Sequence, residues 1–293
     1  MKTLIFSDVE VHPYKQFGSD QRLDCCIEVI DKAFKTASEN GCDVIMFCGD
    51  LTDQPSQIPI SVVNRLTDLF SRCFKTYGIP FVSISGNHDQ PKKYRSLERH
   101  QTTQDFLDLA FDEFHLIDNR KIKVGDFIVG GIPYYDERFP ENFLEAWDNL
   151  GEVDIRLIHQ TPSELDLPYD KIKIPQSKGI TFCGHIHDSK ELRSDLIIVG
   201  AALSKSFGDS GDRYFWIVEF DKSLSDLHFI GGIETVETGM PKFGEDYVRE
   251  RKEFEMRVAT IDVNLSDKEM LEQFADSDSD AKKFIDYGLK CLS

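Results

Sequence analysis

Nowhere in its 293 residues does the chain contain an apolar run approaching the roughly 20 residues needed to cross a bilayer. Its first residues lead through Lys2 straight into Thr3-Leu4-Ile5-Phe6. That run is too short for a signal-peptide core and lacks a small-residue cleavage site. No membrane association and a cytoplasmic location are therefore expected. There is no C-x-x-C pair either. The seven cysteines (Cys25, Cys26, Cys42, Cys48, Cys73, Cys183 and Cys291) are odd in number, and most sit in apolar segments such as Val44-Ile45-Met46-Phe47-Cys48. Buried, reduced thiols are expected rather than a disulfide framework. Positive charge is scarce: 34 Lys and Arg against 52 Asp and Glu give a net charge of -18. Such a chain repels nucleic-acid phosphates at long range, so handling DNA would require a local positive source. Two divalent cations would be one. The stretch Lys92-Lys93-Tyr94-Arg95, continuing to Arg99 and His100, is a second candidate. A solvated loop or helix face is the plainer reading of that stretch. No internal repeat is visible.

What is present is an alternation of strand-like and helix-like segments. Thr3 to Ser7, Asp43 to Cys48 and Phe81 to Ser85 read as strands. Between them, Asp20 to Asn40 carries Leu23, Cys26, Ile27, Ile30, Ala33, Phe34 and Ala37 on one helical face, and Ile60 to Tyr77 is a second amphipathic helix ended by Gly78. This spacing predicts β-α-β units with parallel pairing. A helix over Thr103 to Phe114 then leads into a hairpin over Lys121 to Gly131. Further strands are predicted at Asp154 to His159, Gly179 to Cys183, Leu196 to Val199, Tyr214 to Glu219 and Leu227 to Ile230. The expected architecture is two mixed sheets packed face to face with helices outside. After a linker-like Thr238 to Gly244, Phe254 to Val263 alternates like a strand, and Asp267 to Phe274 and Ala281 to Leu289 read as helices.

The polar residues gather where strands end. Asp8 closes the first strand, and Gly49-Asp50-Leu51-Thr52-Asp53 closes the second. Gly86-Asn87-His88-Asp89 closes the third, His159 a fourth, and Gly184-His185-Ile186-His187 a fifth. Sites in open α/β sheets form outside the carboxyl ends of strands, so these endings can share one rim. Singly, each has an ordinary explanation: a capping aspartate, a Gly-Asn turn, a satisfied histidine. Their ordered recurrence does not. Carboxylates, an amide oxygen and imidazoles suit manganese, iron, zinc or magnesium without any cysteine. A shared carboxylate can hold two cations about 3.5–4 Å apart.

This set resembles the signature of the calcineurin-like metallophosphoesterases, over roughly residues 1 to 232. Within that superfamily it is most similar to SbcD-like DNA repair exonucleases, phage-type relatives included. The segment Gly200, Ser206-Phe207-Gly208-Asp209, Gly211 and Phe215 resembles the stretch after the last motif in those nucleases. The resemblance implies a four-layer αββα sandwich and two divalent metals, manganese foremost. One would be held by Asp8, Asp50 and His187, the other by Asn87, His159 and His185, with Asp50 bridging. His88 would stand beside the scissile phosphate, with Asp89 orienting it. Lys92, Lys93 and Arg95 would meet the substrate. The family's usual histidine two residues after the first aspartate is Glu10 here. Three arrangements stay open: Glu10 as a ligand, His12 turned inward in its place, or a first metal position left weak or empty.

Three functions are compatible with these residues. The first is a DNA exo- or endonuclease of SbcD type, which implies DNA as substrate, a homodimer and an SbcC-like coiled-coil ATPase partner. The second is a phosphodiesterase for a nucleotide or cyclic nucleotide. The third is a non-catalytic scaffold with a degraded metal site. Residues 1–232 are expected to form the nuclease domain, and 245–293 a small α+β appendage that caps DNA or binds the partner.

Overall fold

The computed structural model describes residues 1–12, 21–53, 58–90, 102–168, 170–204, 212–221 and 230–240. Two six-stranded mixed sheets lie face to face. In the first, β1 (Lys2–Phe6), β2 (Val44–Phe47), β3 (Phe81–Ser83) and β4 (Phe114–Leu116) run parallel, and β11 (Tyr214–Phe220) and β12 (Ile230–Glu237) extend the β1 edge antiparallel. In the second, β6 (Phe127–Ile132), β7 (Ile155–His159), β8 (Ile180–Gly184) and β10 (Leu196–Ile198) run parallel. There β5 (Arg120–Val124) and β9 (Lys190–Arg193) form antiparallel edges. This is the expected four-layer αββα sandwich.

Strand alternation builds the layers. Ile5, Val44, Met46, Val82, Ile155, Leu157, Ile180 and Phe182 fill the space between the sheets. Their neighbours Leu4, Phe6, Ile45, Phe47 and Phe81 face the opposite way, toward α1 (Gln21–Glu39) and α2 (Ile60–Tyr77). That outer layer is aromatic: Phe34, Phe70, Phe81 and Phe114 pack with ring centroids 5.1–6.0 Å apart, a spacing that adds attraction beyond area burial. Helix α2 stops where expected. Gly78 takes a left-handed φ of 64° and donates its N–H to Phe74 O at 2.9 Å, as a C-cap glycine does.

Several elements differ from expectation. The helix predicted over 103–114 is shorter: α3 spans Thr103–Ala110, opened by a Thr102–Asp105 capping box. The chain then turns extended at Phe111 and continues as β4, which adds to the sheet beside β3. Helix α4 (Pro140–Leu150), which covers the second sheet with Phe143, Ala146, Trp147 and Leu150, was not anticipated. Nor was β9. At the far edge, β12 reaches Glu237; residues 227–229, and all of the predicted strand and helices beyond 240, lie outside the described residues. No described helix is long and apolar enough to cross a membrane.

The β9–β10 hairpin follows the Gly184–His187 loop and is clamped by Arg193. Its guanidinium meets Asp195 (2.8 Å), Glu164 (2.5 Å) and the Ile174 carbonyl (3.2 Å). Burial works against ionisation of Asp195, but Arg193 and the Ser177 N–H (3.0 Å) outweigh it and hold the carboxyl below its usual value. A depressed folded pKa contributes stability that is complete above the unfolded value of about 3.9 and is lost as pH falls through the folded value. Asp195→Asn is therefore expected to lower the urea midpoint at pH 7, with the gap from wild type narrowing as pH drops below about 4. A gap constant with pH would contradict this account of Asp195.

Candidate metal centre

The carboxyl ends of β1, β2, β3, β7 and β8 open onto one rim, and the loops leaving them interlock. Asp8 N–H donates to Gly49 O (3.0 Å), Val9 and Glu10 N–H to Asp50 O (3.0 and 2.8 Å), and Val11 N–H to Leu51 O (2.8 Å). Among the described residues, five other than glycine have left-handed backbones. Four of them are Asp8 (55°), Glu10 (50°), Asp50 (59°) and His185 (76°). Each such backbone costs on the order of 1 kcal/mol or more, and such strain collects at functional sites.

Two glycines permit the close approach. Gly49 takes φ 95°, and a Cβ there would run into the His159 ring. A Cβ on Gly184 would collide with the Cys48 carbonyl and the Ser7 hydroxyl. The two sheets thus come together at His159, whose Nδ1 lies 2.6 Å from Cys48 O on β2's side of the cleft. That contact makes Nδ1 the protonated nitrogen and turns Nε2 toward the site.

Nε2 of His159 is 3.1 Å from Asp50 Oδ2 and 3.0 Å from Asn87 Oδ1. Three groups can each present ligand atoms within 4.8 Å of one another: Asp50, His159 and His185; Asp8, Glu10 and His187; and Glu10, Asp50 and His88. Glu10 therefore stands with Asp8 and His187, where the family's histidine is expected. His12 is buried but enters none of the three groups. Lys92, Lys93 and Arg95 lie outside the described residues.

The donor set suits cations. Asp8 is fully buried; its Oδ2 accepts the His185 N–H (3.2 Å), while Oδ1 has no hydrogen-bond partner and lies 4.0 Å from His159 Nε2. Burial, which outweighs His159, pushes the Asp8 carboxyl up. Burial also disfavours ionised Asp50, but His159 more than compensates and holds it low. His159 itself, despite burial, is raised to about 9 by Asp50 and Asp8. His185 is lowered to about 3, first by burial and then by the charge of His159, so it stays a neutral imidazole able to ligate. Buried carboxylates that draw a proton onto His159 are ones a divalent ion can satisfy instead.

His88 and Asp89 part company. Asp89 does not meet the His88 ring. It is fully buried and accepts hydrogen bonds from the N–H groups of Asp50 (2.9 Å), Leu51 (3.2 Å), Thr52 (2.8 Å) and Gly86 (2.9 Å), the Thr52 hydroxyl (3.0 Å) and the Gln104 amide (2.8 Å). It is the clasp that joins the loops after β2 and β3. The partner of His88 is Asp53, at 2.7 Å from Nδ1, while its backbone N–H donates to Asp50 Oδ1 at 2.7 Å. Although burial opposes it, the Asp53 contact together with Asp50 and Glu10 raises His88 to about 9. The His88 ring is thus met by Asp53 and not by Asp89. The signal for it was the second aspartate of Gly-Asp-Leu-Thr-Asp. Tyr134, which sets its ring 5.5 Å from that of His185, carried no sequence signal at all.

The calcineurin-like phosphoesterase family matches residues 1–201. The chain is 28% identical over 207 residues to the DNA double-strand break repair protein Mre11 of Sulfurisphaera tokodaii, covering 66% of this chain and 51% of that one. It is 26% identical over 191 residues to Mre11 of Saccharolobus solfataricus, covering 62% and 48%. The chain thus spans about half the length of these relatives. In fold it is similar to TT1561 of Thermus thermophilus, with a TM-score of 0.50 and 15% identity over 81% of this chain and 98% of that one.

Proposed function

The chain belongs to the calcineurin-like phosphoesterase family, and from that premise we propose that it hydrolyses phosphodiester bonds with two divalent metals and that its substrate is DNA. The observation that carries the reading is the pair of ligand groups, Asp50 with His159 and His185 beside Asp8 with Glu10 and His187. When bound, two divalent ions supply Lewis acidity that activates water and offsets charge on the phosphate. Asp50 would bridge the two positions and Asn87 would complete the second, a reading supported by their 3.1 and 3.0 Å approaches to His159 Nε2. His88 donates a hydrogen bond or proton to the phosphate or its leaving oxygen. Asp53 fixes its ring for that task. Manganese is the metal we favour, because carboxylates make up so much of the set.

DNA as substrate draws its support from the Mre11 relatives. On this reading, 1–232 forms the nuclease domain. Residues 245–293 cap DNA or bind a coiled-coil ATPase of the SbcC kind, and the working form is a dimer. The charge of -18 favours a second substrate class, a nucleotide or cyclic nucleotide, because a ligand with few negative charges is repelled far less than a polyanion. The test is degradation of linear duplex DNA with Mn²⁺ at increasing salt. DNA cleavage is expected, with binding weakened on the order of tenfold or more from 50 to 200 mM salt. Absence of DNA cleavage alongside turnover of a cyclic nucleotide would assign the smaller substrate.

A further inference from the structure

We infer that Glu10 makes the two metal positions chemically unequal, so that the position at Asp8, Glu10 and His187 favours hard, oxygen-seeking cations relative to the position at Asp50, His159 and His185. The inference rests on the two-metal reading of this site. The first group offers two carboxylates and one imidazole, the second one carboxylate and two imidazoles. The Asn87 oxygen lies 3.0 Å from His159 Nε2 on the second side.

Glu10 is not a solvated surface acid. It is 8% exposed. Its left-handed backbone (φ 50°) is pinned by its N–H to Asp50 O at 2.8 Å, which fixes where the side chain emerges. Its Oε1 lies 3.7 Å from His187 Nε2, and its carboxylate also groups with Asp50 and His88. The buried Asp8 Oδ1, without a hydrogen-bond partner, independently points to a ligand here. Carboxylate oxygens suit manganese and magnesium, imidazole suits zinc, and nitrogen-rich sites follow the order that places zinc well above manganese. Replacing a neutral imidazole by a carboxylate adds a negative charge beside one cation only. The two positions then differ in both hardness and charge.

The experiment is competitive loading of the chelator-stripped full chain with Mn²⁺ and Zn²⁺, read by elemental analysis and by the spin resonance of bound Mn²⁺. Two bound ions per chain are expected in the wild type. The zinc-over-manganese preference should be at least tenfold smaller at one position than at the other. E10H should bring the two preferences together, and histidine tolerates the left-handed backbone there. E10Q should lose manganese at the distinctive position while melting like the wild type, which separates loss of a ligand from loss of fold. Two ions with the same preferences in wild type, E10H and E10Q would overturn the inference and leave the two-metal reading standing. No bound ion in any of them would overturn both.

Discussion

Asp50→Asn abolishes metal-dependent phosphodiester hydrolysis, with an expected loss on the order of 10³-fold or more, about 4 kcal/mol of transition-state stabilisation. The size follows from how many roles converge on one carboxylate. Its Oδ2 faces His159 at 3.1 Å, its Oδ1 accepts the His88 N–H at 2.7 Å, and it belongs to two of the three ligand groups. Removing its charge weakens the position it shares with His159 and His185, and through its proposed bridging role the other position too, and takes away the main anion that keeps His159 raised to about 9. Asparagine is the better probe than alanine because Asp50 has φ 59°, a left-handed backbone that asparagine adopts readily. The fold is therefore expected to persist, as circular dichroism would show, while metal content and turnover fall together. Retained turnover in Asp50→Asn would remove the bridging role.

Asp89→Ala is expected to act on stability rather than chemistry, destabilising the protein by roughly 3–5 kcal/mol, the cost of leaving several buried N–H donors without an acceptor. The carboxyl is buried, and its loss orphans the N–H groups of Asp50, Leu51, Thr52 and Gly86 together with the Gln104 amide. Water could not replace it without opening the junction between two loops. Asp89→Asn keeps one acceptor oxygen but turns an amide donor toward groups that also donate, so it should be intermediate. Urea denaturation of the chelator-stripped protein measures this without interference from metal binding. A shift under about 1 kcal/mol would mean that the clasp is not needed to hold the loops.

Much of this arrangement is legible in the sequence. Short apolar runs in Thr3 to Phe6, Val44 to Phe47 and Ile155 to Ile158 mark strands, because strands covered on both faces are apolar along their length. Polar residues at the end of such runs have nowhere to go but the rim. Glu10 could be weighed as a ligand because the family resemblance places a histidine at its position. Pairings between loops were not legible. Nothing in Gly-Asn-His-Asp reveals that Asp89 turns inward to backbone N–H groups while His88 reaches Asp53 on another loop. Short elements also escaped. Phe111 and Phe114 continue a helical period, yet only three residues of β4, Phe114–Leu116, are paired, too few for a periodic signal. Helix α4 was readable: Phe143, Ala146, Trp147 and Leu150 fall on one face between Pro140 and Gly151. Tyr134 follows no motif and reaches His185 only through the packing of β6's outgoing loop.

The central claim, two-metal hydrolysis at this rim, is tested most directly by titrating the chelator-stripped chain with Mn²⁺ while following both bound metal and hydrolysis of a small chromogenic phosphodiester. The account predicts no turnover without metal, two ions bound at saturation, and activity that rises with the second ion. Turnover in the stripped protein, or full activity with a single ion bound, would contradict it.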